Sequence, residues 1–336
     1  MNIAVLGCGS IGKKHIQNLT TLEGISLFAY DPSETALQSL THETVIKYSD
    51  IDRLFSENKF DAIFVCARNH LHLELVKRGL ENDCHVFVEK PISDTLEGLE
   101  ELQKLAEAKS KIVFVGCNMR FHSPLQRIKK ILDSGKVGKV YSARLEFGHY
   151  LPNWRPNTDY SKTYSARHDM GGGVILDSIH ELDYANWLFG KVSRVACFAD
   201  KLSELNIDVE DSAEIIMKLA NNSIVEIHLD YLQRFKRRSC QVIGSEGTII
   251  WTSEGKKPEK ATVSLYDARK DQWEIFEETV DANIAFIDQM KHFINCIKGI
   301  EEPISNIQSG IEALKLVMAA RKSSKDNSFI DMGSNN

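Results

Sequence analysis

A Cys-x-x-Cys pair is missing from this 336-residue chain, and so are an apolar run of membrane-spanning length and any excess of positive charge. Each absence excludes something. Cys8, Cys66, Cys84, Cys117, Cys197, Cys240 and Cys296 are odd in number and mostly lie in apolar runs. They read as buried thiols of a reducing compartment, not as a disulfide framework. A formal net charge of -6 argues against a nucleic-acid partner, because phosphate binding wants a basic face. The one basic cluster, RFKRR at 234–238, falls inside an alternating segment and reads as a solvated strand edge. The N-terminus, MNIAVLGCGS, enters a strand directly, with neither a basic n-region nor a small-residue cleavage site. Without an apolar run long enough to span a bilayer, the expectation is a cytoplasmic protein with no membrane partner. There is no internal repeat and no low-complexity tract.

What is present is ordinary globular composition, 43% hydrophobic and 26% charged, at a length suited to two domains. Residues 2–118 alternate short apolar runs with helix-like stretches. The runs are NIAVLG, SLFAYD, FDAIFVCA, HVFVEK and KIVFVGCN, with TVIKYS a weaker one. Continuous apolar runs separated by amphipathic stretches mean βαβ units and a parallel sheet covered on both faces. The first turn is GCGSIG. A lone G-x-G-x-x-G says little, but here a strand precedes it and a helix follows. In that setting Gly7 permits the tight turn, Gly9 lets a pyrophosphate approach the backbone, and Gly12 allows close helix–strand packing. Ser10 and Ile11 lie between them, at a helix start whose N–H groups suit an anion. Asp31 ends the second strand, where an acid bonds the adenosine ribose and repels a 2′-phosphate, so NAD is expected over NADP. The alternative reading is a glycine turn with Asp31 capping a helix.

After Asn118 the pattern changes. SPLQRIKKILDSG is a helix with a good cap and first turn. Long alternating strands follow at KVYSARLEFGHY, SRVACFADKL, SAEIIMKLA, SIVEIHLDYL and RSCQVIGSEGTIIWTS, with GKKPEK a turn. Helices close the chain at NIAFIDQMKHFINCIKG and NIQSGIEALKLVMAARKSS, before a loose tail, DMGSNN. The expected fold is α/β: a doubly wound parallel sheet over 1–120, then an α+β domain over 121–336 with a large, mostly antiparallel open sheet. A wide sheet face left open points to a homodimer or homotetramer through it.

The ordered set GCGSIGKKH (7–15), CARNHLH (66–72), HVFVEKPIS (85–93), GCNMRF (116–121) and GGGVILDSIHELD (171–183) resembles the Gfo/Idh/MocA oxidoreductases, of the glucose–fructose oxidoreductase and inositol dehydrogenase type. The resemblance spans nearly the whole chain, and the set is more specific than any member of it. It implies a Rossmann domain followed by a substrate domain. It also implies hydride transfer between a nicotinamide and a hydroxyl or keto carbon of a sugar, sugar acid, nucleotide sugar or cyclitol. A non-catalytic dinucleotide sensor and an NAD-assisted glycosidase are the rival readings.

Residue by residue, the resemblance gives Lys90 in Glu89-Lys90-Pro91 a catalytic or substrate-orienting role. It makes His180 a general acid/base, as an imidazole titrating near neutrality suits, with Asp177 assisting or binding a substrate hydroxyl. Ala67, Asn69 and His72 fall in the cofactor loop, where Arg68 replaces a frequent Pro, and Glu89 and Lys90 are expected to contact the cofactor as well. Arg120 is placed near the same edge as an anion or nicotinamide-side contact. One departure stands out: the family pattern separates the Asp and His by four residues, this chain by three. On one helix, three steps leave side chains about 60° apart, and Asp183, three further on, is positioned to back His180. The aperiodic stretch 150–170 carries Trp154, Arg155, Tyr164 and Arg167, a set suited to sugar faces and carboxylates. His168 and Asp169 near these acids show no recognised ligand spacing, so no metal is expected.

Overall fold

Among the first 118 residues, every strand of the parallel sheet but the third is a short apolar run, buried over most of its length. The computed structural model describes residues 1–155, 157–255 and 259–333. It divides into two compact units, one of Met1–Asn118 with Phe286–Leu314, the other of Met119–Ala285 with Lys315–Asn336. Residues 286–314 thus group with the N-terminal unit, so the second division is not a single run from 121 to 336.

The first unit runs β1 (Asn2–Leu6), α1 (Ser10–Leu19), β2 (Ser26–Tyr30), α2 (Glu34–Gln38), β3 (Ile46–Tyr48), α3 (Ile51–Glu57), β4 (Ala62–Val65), α4 (His72–Glu81), β5 (His85–Glu89), α5 (Leu99–Ala108) and β6 (Val113–Gly116). The strands pair in parallel in the order β3-β2-β1-β4-β5-β6. The chain reverses direction across the sheet between β1 and β4. That is the switch point at which doubly wound sheets open a crevice beyond their carboxyl ends. All described residues of β4 and β6 are buried, whereas weakly patterned β3 holds no fully buried residue. Phe64, Phe87 and Phe114 stack in series across β4, β5 and β6, and Phe293 packs on all three rings.

The second unit runs α6 (Ser123–Asp133), β7 (Val140–Gly148), α7 (Val174–Asp177), α8 (Ile179–Phe189), β8 (Val192–Asp200), β9 (Ser212–Leu219), β10 (Ile224–Asp230), β11 (Arg237–Gly244), β12 (Gly247–Glu254), β13 (Glu259–Asp267) and β14 (Gln272–Val280). Then come α9 (Ala282–Ile297), α10 (Ile307–Asp326) and β15 (Ile330–Asp331), the residues of each of the two helices being divided between the units. Nine strands form one sheet, β14-β13-β12-β11-β7-β10-β9-β8-β15, antiparallel except for the parallel pair β7–β10. Strands such as β9 alternate buried and exposed residues, so one face is covered and the other open.

Two sequence expectations change here. RFKRR is not a solvated edge: β11 is interior, between β12 and β7. Its Arg238 is nearly buried and bonds Glu181 at 2.6 Å, and Lys236 reaches Glu259 at 3.0 Å. The expected loose tail begins in a strand, with Ile330 and Asp331 paired to β8 and Asp331 bound to Arg194; residues 334–336 lie outside the described residues. The GKKPEK turn has its residues 256–258 outside them as well. All seven cysteines are buried and free. Burial pushes the thiols of Cys8, Cys84, Cys197 and Cys240 up to about 12.

Candidate active site

The glycine turn is shaped by two collisions and one opening. Gly7 has φ +101, which side-chain-bearing residues rarely adopt, and a Cβ there would meet Cys66 and Ala67 backbone at 2.8 Å. A Cβ on Gly12 would lie 1.9 Å from the Gly7 carbonyl oxygen. Gly9 is different: its φ is −69 and a Cβ would touch no atom within 4 Å. The protein itself needs Gly7 and Gly12 but has no internal need of Gly9. Gly9 caps α1, whose first turn carries no acid, so free N–H groups and the positive end of the helix dipole face the space above it. That cradle fits a dinucleotide pyrophosphate. Ser10 and Ile11 open α1 beside it, Ser10 exposed.

Asp31, just beyond β2, does not cap α2; Ser33 does. Its Oδ2 accepts from the Cys8 N–H at 2.8 Å and its Oδ1 from the Ser33 N–H at 2.9 Å. One carboxylate therefore ties the glycine turn to the end of β2. A carboxylate has lone pairs beyond those two, which suits ribose hydroxyls and disfavours a 2′-phosphate.

The loops after β4 and β5 complete this edge. Ala67 and Asn69 are half-buried and Arg68 is exposed. His72 is 1% exposed, with both ring nitrogens near carbonyl oxygens, Nδ1 2.7 Å from Pro91 and Nε2 3.1 Å from Ala67. It braces the loops from beneath. Lys90 is half-buried at the end of β5 and precedes Pro91 through a cis peptide bond. Glu89 points the other way and meets buried His15 at 2.6 Å. Glu89 is thus committed to the protein interior.

In the second unit, Gly172 and Gly173 are packed by the protein rather than held open. A Cβ on Gly172 would meet the Tyr164 carbonyl oxygen at 2.3 Å, and on Gly173 (φ +108) the Glu210 carboxylate at 2.3 Å. Glu210 receives the Ile175 N–H at 3.3 Å and Arg321 at 3.2 Å, and Arg321 also donates to the Gly172 carbonyl. Glu210 and Arg321, which no sequence period singled out, therefore set the entry to α7.

The expected single helix is broken. Ser178, at φ −96 and ψ 32, separates α7 from α8, so Asp177 ends one helix while His180 lies in the first turn of the next. The one-helix angle between them does not apply. Asp177 is buried and accepts from Tyr164 Oη at 2.8 Å and Tyr231 Oη at 3.2 Å. Tyr231 follows β10 and is fully buried; burial first, then the Asp177 charge, raises its pKa well above the ordinary range. Trp154 stands edge-on to Tyr231 at 5.2 Å, stacks on His149 at 5.7 Å and donates its indole N–H to the His149 carbonyl. Arg155 lies 5.2 Å over the Tyr164 ring. Trp154, Arg155, Tyr164 and Asp177 are therefore one cluster, joined by Tyr231 and His149, which the sequence did not single out. Arg167 stands apart, paired to Asp169 and Asp208.

Two placements differ from expectation. Arg120 is 4% exposed and holds Asp183 through two bonds, at 2.9 and 2.7 Å, over the Trp187 ring. Its guanidinium is thus spent on a buried ion pair rather than presented at the sheet edge. Asp183, with both oxygens on Arg120, does not serve as the backing group for His180. Among the described residues, no group of three or more His, Cys, Asp or Glu is arranged to hold a metal, and no helix is long and apolar enough to cross a membrane.

Comparison with known proteins agrees with these features. Residues 1–117 match the model of the oxidoreductase family with the NAD-binding Rossmann fold, and residues 125–250 match the GFO/IDH/MocA C-terminal domain. The chain is 28% identical to a myo-inositol 2-dehydrogenase of Thermotoga maritima, over 96% of each. Its fold matches an Agrobacterium radiobacter oxidoreductase solved with NAD+, L-tartaric acid and magnesium (TM-score 0.87, 19% identity, 98% of each chain). It also matches the WlbA dehydrogenase of Bordetella pertussis solved with NADH and UDP-GlcNAcA (TM-score 0.85, 21% identity, 100% of this chain and 98% of that one). A glycine cradle at the switch point of a parallel sheet, a nine-stranded partner sheet and both domain matches together make this chain a member of the Gfo/Idh/MocA oxidoreductase family.

Proposed function

We propose that this NAD-dependent oxidoreductase acts on a hydroxyl- or keto-bearing carbon of a cyclitol, sugar or sugar acid, with Lys90, His180 and Asp177 serving the chemistry. The observation that carries the reading is the placement of Lys90 at the carboxyl end of β5, on the sheet edge that also carries the Gly9 cradle. Gly7, Gly9, Gly12, Asp31 and the Ala67–Asn69 loop hold the cofactor, which when bound supplies the hydride acceptor or, reduced, the donor. Alcohol oxidation needs a base for the hydroxyl proton, and the His180 imidazole fills that role. Asp177, oriented by two tyrosine hydroxyls, receives a substrate hydroxyl. Lys90 directs its ammonium at the oxygen of the reacting carbon. Trp154, Arg155 and Tyr164 present ring faces and a cation to the rest of the substrate. The inositol activity of the Thermotoga relative supports a polyol substrate. We propose in addition that the open face of the nine-stranded sheet associates with a second copy of this chain, and that the protein is cytoplasmic.

The test is a panel of inositols, sugars, sugar acids and nucleotide sugars with NAD+, followed by NADH absorbance. Lys90→Ala and His180→Ala should each lower turnover by about 10²–10⁴-fold on the best substrate, with NAD+ affinity retained. Near-normal turnover in both variants refutes the assigned roles.

A further inference from the structure

Lys90 is flanked on both sides by residues that a buried histidine grips. Before it, Glu89 Oε1 lies 2.6 Å from His15 Nε2, and His15 is fully buried. The other nitrogen of His15 faces Met290 Sδ at 3.3 Å, and its ring packs on Phe64 and Phe87 at 5.5 and 5.2 Å. After Lys90, the Pro91 carbonyl oxygen lies 2.7 Å from Nδ1 of His72. The second His72 nitrogen is 3.1 Å from the Ala67 carbonyl oxygen.

Both oxygens facing His72 can only accept, and a neutral imidazole has a single N–H to give. Burial lowers the His72 pKa, which keeps the ring neutral. The shorter contact therefore takes the proton, and Nδ1–H donates to Pro91. A surface histidine would gain little from this arrangement; a fully buried one is fixed by it.

The His15 grip leads back to the glycine turn, and the Nε2 edge of His72 only packs against the loop after β4. His15 belongs to α1, the helix that Gly9 caps. Ala67 is the residue whose backbone nitrogen abuts Gly7, 2.8 Å from where a Cβ would stand. A lysine has a flexible four-carbon stem, so the position of its ammonium depends on how firmly its backbone is held. We infer that His15 and His72 are positioning residues for the Lys90 backbone: His15, through Glu89, ties it to the helix that opens at the glycine turn, and His72, through Pro91, holds its other side, neither touching substrate or cofactor. This rests on the catalytic reading of Lys90 and goes beyond it, by assigning the buried imidazoles a role in turnover.

The experiment is a double-mutant cycle on the full-length protein, with NAD+ and the best polyol from the panel, joined to a measurement without either. In the wild-type background His72→Leu should lower kcat by roughly 10–100-fold, as loss of groups that orient a reacting residue does, with KM and NAD+ affinity nearly unchanged. In the Lys90→Ala background the same change should cost nothing further, because its effect runs through Lys90. His72→Gln, which keeps an N–H donor, should restore part of the loss. In the ligand-free protein with 13C-dimethylated lysines, the Lys90 resonance should be single in the wild type and shifted or split in His72→Leu. Equal kcat losses in both backgrounds, or an unchanged Lys90 resonance, overturn the inference. Where His72→Leu does not fold, His72→Asn and His15→Gln run the same cycle with the same deciding outcomes. Full turnover in Lys90→Ala alone overturns the catalytic reading and this inference with it. A lost turnover there, with additive factors, overturns only the positioning role.

Discussion

Gly9 and Gly12 look alike in GCGSIG and are required for opposite reasons. A methyl at 12 collides with the Gly7 carbonyl, whereas a methyl at 9 meets nothing of the protein. Gly12→Ala should therefore lose stability, by about 1–3 kcal/mol or more, as overpacking does. Gly9→Ala should leave the melting temperature close to wild type, a helix cap changed from Gly to Ala costing on the order of 0.5–1 kcal/mol. It should nevertheless weaken NAD+ binding by at least about tenfold, equivalent to about 1.4 kcal/mol. Calorimetric melting and NAD+ titration of both variants check this; undiminished affinity in Gly9→Ala would mean the pyrophosphate lies elsewhere. Arg120 makes the converse case. Arg120→Met strands the Asp183 carboxylate in the interior and should cost about 3–5 kcal/mol of stability, as removing one partner of a buried pair does. The NAD+ affinity of the folded fraction should be unaffected. If instead affinity falls and stability holds, Arg120 is a cofactor contact after all. At this scale the sequence told well which residues are unusual and poorly what each one touches. Arg120 reads as a free cation until Asp183, 63 positions later, is folded against it.

Elements were legible where burial is one-sided or complete. The runs at β1, β4, β5 and β6 carry their own evidence, because a strand buried on both faces must be apolar throughout. Strand β14 has no buried residue and so leaves no apolar period to read. The break at Ser178 was also illegible. GVILDSIHELDY is helical by pattern, and the interruption follows an entry to α7 set by Glu210 and Arg321, both distant in sequence. Likewise Tyr231 looks like one more aromatic near a strand end, and only the fold brings it to Asp177. The pairing of strands does yield a pH prediction. His228 on β10 lies opposite Glu214 on β9 and Glu146 on β7. The Asp230 hydrogen bond, opposed by partial burial and aided by Glu214, raises its pKa from 6.5 to about 9. Since the folded value is the higher one, the stabilisation is complete below about pH 6.5 and is lost as pH rises through about 9. Imidazole NMR should show that midpoint, and Asp230→Asn should move it toward 6.5. A midpoint already near 6.5 in the native protein would remove the effect.

The whole molecule was readable in outline because its motif order runs nearly end to end, although the return of residues 286–314 to the first unit leaves no local mark. The second unit's nine-stranded sheet leaves one face open. Its open face carries a row that crosses seven strands in register: Ile216, Glu226, Arg144, Gln241, Ile250, Ser264 and Ile275. Ile216, Ile275 and nearby Phe198 are 51%, 61% and 76% exposed. Apolar side chains flank an Arg144–Glu226 ion pair, which makes the face amphipathic and suited to pairing with its own copy about a twofold axis. An interface of this kind is expected to bury about 1,200–2,000 Å². Burying each isoleucine should contribute about 1.5–3 kcal/mol. Ile216→Lys with Ile250→Lys should then weaken self-association by roughly 10²–10⁴-fold, with the melting profile of the protomer retained, since both side chains point away from the covered face. Sedimentation velocity decides it. The wild type should run as a dimer or tetramer and the double variant as a monomer; a monomeric wild type, or a variant that still assembles, would assign association to some other surface.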